Sequence, residues 1–151
     1  MASDINIRNK KASFEYHFLE TFVTGIKLLG TEIKSIREGK ATISDAFCTF
    51  INEELYVRNL HISEYSHGSF YNHEAKRDRK LLVTKKELKK LLVKSQDKGL
   101  TIVPLKIFIS ERGFAKLEIA LAQGKKSFDK RDTLKERDVK REMDKAMKNF
   151  N

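Results

Sequence analysis

A two-residue alternation of apolar and polar side chains recurs along this chain, broken by only two short helical stretches. That pattern constrains the fold more than any other feature. In Phe14 to Leu28 (FEYHFLETFVTGIKL), Phe14, Tyr16 and Phe18 alternate with Glu15 and His17. This is the signature of a half-buried strand. Ala46 to Ile51 and Leu55 to Leu60 read as two more strands, joined by a hairpin turn at Asn52-Glu53-Glu54. Leu100 to Ser110 and Ala115 to Leu121 form a last pair around a turn at Arg112-Gly113. The first helical interruption starts at Thr31 as N-cap, turns Ile33 and Ile36 inward and Lys34, Arg37 and Lys40 outward, and stops before Gly39. The second runs from Thr84 to Ser95, with Leu88, Leu91 and Leu92 at helical spacing, Thr84 and Glu87 as a capping box, and Gly99 past its end. Ile62 to Asn72 reads as a loop. Strand, helix, two strands, helix, two strands predicts a mainly β chain: an antiparallel, partly open barrel like the OB-fold, with small flanking helices. An α+β sandwich is the alternative.

The pattern stops at Gly124. From there to Asn151 the chain carries ten Lys or Arg against six Asp or Glu, a net of +4, while residues 1–123 carry +6. Val139, Met143, Ala146, Met147 and Phe150 share one thin helical face. A helix this short and charged is marginal in water, so the tail is expected to be disordered alone and helical when docked. The expected organisation is an N-terminal arm at 1–12, a barrel domain at 13–123 and a basic tail at 124–151.

The 151 residues suffice for one domain with a core, and the net charge of +10 points to polyanionic partners. Nucleic acid ranks ahead of anionic membrane, because no apolar run is long enough to span a bilayer. Met1 to Lys11 lacks the apolar centre of a secretory signal. One cysteine, Cys48, excludes an internal disulfide; with it, a cytoplasmic location is expected.

No catalytic site is expected. His61, His67 and His73 are six residues apart, which is not a metal-ligand spacing, and no second cysteine accompanies Cys48. No glycine-rich phosphate loop or nucleophile elbow is present. No metal and no cofactor is implied. A nuclease working through Glu32 or Asp45 would need an acidic metal cluster that the sequence lacks.

The basic clusters carry more. Asn9-Lys10-Lys11 precedes the first strand. Lys34, Arg37 and Lys40 belong to the first helix, and Lys76-Arg77-Asp78-Arg79-Lys80 precedes the second. Such cations bind phosphates, and Tyr65, Phe70 and Tyr71 are placed to stack on exposed bases. Glu32 either accepts hydrogen bonds from base amino groups or stabilises its helix. In GKKSFDKRDTLKERD (Gly124 to Asp138), Lys125, Lys126, Lys130, Arg131, Lys135 and Arg137 form a phosphate-binding comb with Phe128 inside it.

Three motifs, GTEIKSIREGKATISDAF (Gly30 to Phe47), RDRKLLV (Arg77 to Val83) and GKKSFDKRDTLKERD, resemble the small protein B, or SsrA-binding, family of bacterial trans-translation. The resemblance implies an oligonucleotide-binding barrel that binds the tRNA-like domain of transfer-messenger RNA (tmRNA). It implies a tail that enters the vacant mRNA channel of a stalled ribosome near the decoding centre. Alanyl-tRNA synthetase and elongation factor Tu would associate indirectly, through the RNA. By position it places Glu32, Lys34, Ser35 and Arg37 in the RNA-facing helix, flanked by Asn9, Lys10 and Lys11. Arg77, Arg79 and Lys80 match its Arg-x-Arg-Lys stretch, and Gly124, Lys125, Lys126, Asp129, Lys130 and Arg131 match its ribosome-engaging tail. Phe128 stands where relatives carry His, and Ala75 where Pro is common. A general single-strand binder and a peripheral membrane protein using Met143 to Phe150 are the competing readings.

Overall fold

The computed structural model describes residues 5–67, 72–97 and 99–125. In chain order the elements are β1 (Asn6–Arg8), α1 (Ala12–Glu15), β2 (Tyr16–Ile26), α2 (Gly30–Arg37), β3 (Ala41–Thr42), β4 (Phe47–Ile51), β5 (Glu54–Arg58), β6 (His61–Ile62), β7 (Arg79–Leu82), α3 (Lys85–Ser95), β8 (Leu100–Ile109) and β9 (Ala115–Gly124). All strand pairings are antiparallel. Six strands close a ring in the order β8-β4-β5-β7-β2-β9, with β9 returning to β8. The expected OB-like barrel is therefore present, and closed. Its wall is unevenly knit. β9 pairs with β2 from Tyr16–Gly124 to Gly25–Lys116 and with β8 over nearly its whole length, whereas β4 meets β8 at Cys48–Ile102 and β7 meets β5 at Tyr56–Lys80 and Val57–Arg79.

Inward residues of the strands make the core: Phe22 and Ile26 of β2, Leu55 and Val57 of β5, Leu81 of β7, Ile102 and Ile107 of β8, Leu117, Ile119 and Leu121 of β9. Ile36 of α2 and Leu91 of α3 are fully buried in the same cluster. Each such side chain contributes about 1.5–3 kcal/mol of burial. A second, small cluster of Val103, Ala120 and Ala122 lies under Tyr16 and Leu105.

The helix and turn signals behave as chemistry dictates. α2 ends in a Schellman motif: Gly39, at φ +74°, donates to the Ile36 carbonyl, and Lys40 to that of Ser35. Thr84 caps α3, its hydroxyl accepting from the Glu87 N–H at 3.2 Å. The β4–β5 hairpin turns on Asn52 and Glu53, both at positive φ, as a two-residue type I′ turn requires.

Seven elements differ from expectation. Residues 6–8, within the expected N-terminal arm, form a strand on β8 (Asn6–Phe108 to Arg8–Lys106); with one apolar residue, Ile7, they show no period to read. Phe14 lies in the short helix α1, so β2 begins at Tyr16, and a bulge at Leu19 leaves Phe18 39% exposed. The short β3 and β6 pair with each other. β7 is the informative case: Arg79 and Leu81 face inward, so its alternation is hidden because one inward residue is charged. Finally, β9 continues three residues past Leu121, making Gly124 its last residue, opposite Tyr16.

Candidate nucleic-acid interface

The predicted cationic surface divides into an interior part and an exterior part. Arg77 lies two residues before Arg79, the first residue of β7, and the two side chains meet one carboxylate. Glu32, fully buried, accepts from Arg77 Nη2 at 2.7 Å through Oε1 and from Arg79 Nε through Oε2. Arg79, also fully buried, gives its remaining donors to backbone: Nη1 to the Leu60 carbonyl at 2.7 Å, Nη2 to Glu74 and Ala75 at 3.3 and 3.1 Å. This one guanidinium ties Leu60, between β5 and β6, to the segment that leads into β7. Glu32 Oε1 also takes the Leu29 N–H at 2.8 Å, which caps α2 from inside the first turn. The N-cap is therefore Leu29, not Thr31. Burial pushes the Glu32 pKa up, but the hydrogen bonds from Arg77, Leu29 and Arg79 outweigh it and hold the carboxyl below its usual range.

Thr31 has a different task. The buried His73 ring sets Nε2 against the Ile62 carbonyl at 2.9 Å and Nδ1 against Thr31 Oγ1 at 2.9 Å. A carbonyl only accepts, so Nε2 donates to it, and in the neutral ring Nδ1 accepts from the Thr31 hydroxyl. Glu32, Ser35 and Arg79, expected on the RNA-facing surface, thus lie inside, with no side-chain surface left to present. The alternative kept open for Glu32, a helix-stabilising role, is what the geometry gives.

Other predicted residues lie outside or half-outside. Lys34 sits 5.5 Å from the centre of the Tyr65 ring. Lys40 pairs with Glu38 at 3.1 Å and Lys80 with Glu54 at 3.1 Å. Lys10 and Lys11 are exposed beside α1. Asn9 donates to the Pro104 carbonyl at 3.0 Å and keeps a buried Oδ1 without a partner among the described residues. Arg8, Lys10, Phe18 and Lys106 line a hollow of about 400 Å³ next to it. Lys125 donates through its backbone to Glu15 and through Nζ to Ser13, which fixes the start of the tail against α1. Lys126, Phe128, Asp129, Lys130, Arg131, Lys135 and Arg137 lie outside the described residues.

Sequence reasoning missed one concavity. A cleft of about 410 Å³ opens between the start of α2 and the β8–β9 turn. Leu29, Ile33, Leu82 and Phe114 give it apolar walls, and Arg37, Arg112 and Lys116 line it with charge. Leu82 is 52% and Phe114 63% exposed. Gly113, at φ +86°, turns the chain so that Phe114 is presented outward, and Arg37 Nη2 reaches across to the Gly113 carbonyl at 3.3 Å. Apolar, aromatic surface set among guanidinium and ammonium groups suits unstacked bases with their phosphates. The available signal was an aromatic just after a turn glycine, where a core side chain has no place.

The described residues offer little for bond-making. No group of three or more His, Cys, Asp or Glu is placed to hold a metal ion. Cys48 is buried, and burial pushes its thiol pKa up, away from the nucleophilic thiolate. No helix among them is long and apolar enough to cross a membrane.

Comparison with known proteins shows which family the chain belongs to. The model of the SmpB protein family matches residues 6–149. SsrA-binding protein of Phocaeicola vulgatus is 57% identical over 144 residues, covering 95% of this chain and 96% of the relative. That of Cytophaga hutchinsonii is 58% identical over 143 residues (95% and 94%), and that of Flavobacterium johnsoniae 53% over 151 residues, the full length of both. A solved chain from "tmRNA-SmpB: a journey to the center of the bacterial ribosome" superimposes with a TM-score of 0.68 at 48% identity, covering 82% of this chain and 86% of that one. With a family match over nearly its whole length and relatives above half identity, the chain belongs to the SmpB family.

Proposed function

We propose that this protein binds the tRNA-like domain of transfer-messenger RNA and delivers it to stalled bacterial ribosomes for trans-translation, acting in the cytoplasm by recognition and mimicry without catalysing a reaction. The observation that carries this reading is the cleft between α2 and the β8–β9 turn, where Leu82 and Phe114 stand exposed among Arg37, Arg112 and Lys116. An exposed apolar surface ringed by cations is costly in water and useful against splayed bases. The names of the relatives, which refer to SsrA, and of the solved tmRNA-SmpB assembly on the bacterial ribosome supply the partner.

In this reading Lys34, Arg37 and Lys40 contact phosphates beside the cleft, with Asn9, Lys10 and Lys11 as a separate contact near α1. Glu32 and Arg79 act indirectly, by fixing α2 and β7, while Ser35 is buried within α2. Residues 13–123 form the RNA-binding body. The tail, from Gly124 through Lys125, Lys126, Phe128, Asp129, Lys130 and Arg131 to Lys135 and Arg137, enters the vacant mRNA channel towards the decoding centre. Alanyl-tRNA synthetase and elongation factor Tu join through the RNA.

The test is a titration at near-physiological salt of the tRNA-like domain against single-stranded and duplex RNAs of equal length, with wild type and Phe114→Ala. Stacking on one aromatic is worth about 1–3 kcal/mol, so Phe114→Ala should weaken the tRNA-like domain roughly tenfold or more. Equal binding of all three RNAs by wild type would reject the reading in favour of a general basic RNA binder.

A further inference from the structure

The charge excess of the barrel is concentrated in a place that neither the cleft nor the motifs use. Helix α3, KKELKKLLVKS, carries five lysines and one glutamate, a net of +4, against +6 for residues 1–123 as a whole. Its apolar side is spent on the core through Leu91, and all five lysines are exposed. Lys85 and Lys89 are four residues apart, as are Lys86, Lys90 and Lys94, so they make two adjacent rows on the outer side of the helix. Glu87 forms no ion pair with them among the described residues; its carboxylate accepts from the Thr84 hydroxyl at 2.9 Å. Lys90 is satisfied by Glu20 at 2.7 Å and lies 6.0 Å from the Phe22 ring centre. Lys85, Lys86, Lys89 and Lys94 have no ion-pair partner among the described residues.

Position supplies the second argument. Leu82, a wall of the cleft at α2, also lines a smaller hollow of about 180 Å³ with Lys80, Val83 and Leu88 of α3. The two concavities share that side chain, and α3 begins three residues after it. An RNA seated in the cleft therefore has α3 as its next neighbour on this side.

We propose that the outer face of α3, through Lys85, Lys86, Lys89 and Lys94, is a docking surface for the phosphate backbone of the same RNA that occupies the cleft. This rests on the reading of the cleft as the RNA site and extends it. The lysines act as mobile point charges, so the surface adds affinity and orientation without reading sequence.

The experiment uses the full chain and a transcript of the tRNA-like domain. Binding is measured across a series of salt concentrations for wild type, for K85Q/K86Q/K89Q/K94Q and for K90Q. Glutamine keeps helix propensity close to that of lysine, and far-UV circular dichroism with a urea midpoint checks that each variant folds. Each lost phosphate contact removes about 0.7–0.9 from the slope of log K against log salt. The quadruple variant should flatten the slope by about two or more and bind roughly tenfold more weakly at near-physiological salt, with loss of hydroxyl-radical protection at a discrete set of nucleotides. K90Q should match wild type. A wild-type slope and footprint in the quadruple variant would overturn the proposal. So would a defect confined to ribosome binding with free RNA unaffected, which would give the face to another partner. Absence of any wild-type preference for the tRNA-like domain would instead sink the reading of the cleft, so the two failures are distinct.

Discussion

Residues 77–79 and 85–94 are neighbours in the sequence, and both are dominated by positive charge. The structure treats them in opposite ways. Arg79 is fully buried and Arg77 half-buried, both spent on Glu32 and on backbone carbonyls, while the lysines of α3 remain in solvent. The difference follows from the head groups. Guanidinium is planar, weakly hydrated and rich in donors, so one Arg79 satisfies a carboxylate and three carbonyls at once. An ammonium is a compact, strongly hydrated charge that loses more on burial. A run of cations is therefore no measure of cationic surface until the arginines are separated from the lysines.

The largest effect should come from removing the interior carboxylate. Glu32→Ala leaves Arg79 buried without its counter-charge, and breaking a buried pair from one side costs about 3–5 kcal/mol; urea unfolding would read it. A cost below about 1 kcal/mol would mean that the pair is not buried in solution. Arg79→Lys is next, at about 2–3 kcal/mol, because an ammonium cannot span Glu32 and the carbonyls of Leu60, Glu74 and Ala75 together. If it unfolds at the wild-type midpoint, the contrast between the two head groups fails.

Acid should then expose the same carboxylate. Its folded pKa lies below the unfolded one, so its stabilisation is complete above the unfolded value of about 4.3 and is lost as pH falls through the folded value. The fall in stability below about pH 4 should be shallower in Glu32→Gln than in wild type, measured as urea midpoints against pH. Parallel curves would assign the acid sensitivity elsewhere. The smallest effect belongs to the exterior: Lys86→Gln should change stability by no more than about 0.5 kcal/mol.

How much of this was legible in the sequence follows from the same contrast. Wherever apolar residues face in, the alternation located the strand: β4, β5 and β8 lie close to where the pattern puts them, β9 starts where it should, and the caps at Thr84 and Gly39 are chemical signals that need no tertiary context. β7 was illegible because its first inward residue is Arg79, whose burial makes sense only once Glu32, 47 residues earlier, is beside it. β1 offers a single apolar residue, and its partner β8 is about a hundred residues away. The site divides likewise. The exposed cations of α2 were placed on the surface from their spacing, but the cleft needs Leu82 of β7 and Phe114 of the β8–β9 turn to meet beside Gly25 of β2, and no local pattern encodes that.

The closed ring has a consequence for the birth of the molecule. β2 is made early but pairs along most of its length with β9, and β1 pairs with β8. During synthesis the first hundred residues lack the strands that complete their wall, so the barrel cannot shut until residue 124 has been added. Folding dominated by such distant pairings is slow, and a nascent chain of this design stays open, with unpaired strand edges, until β9 has been made.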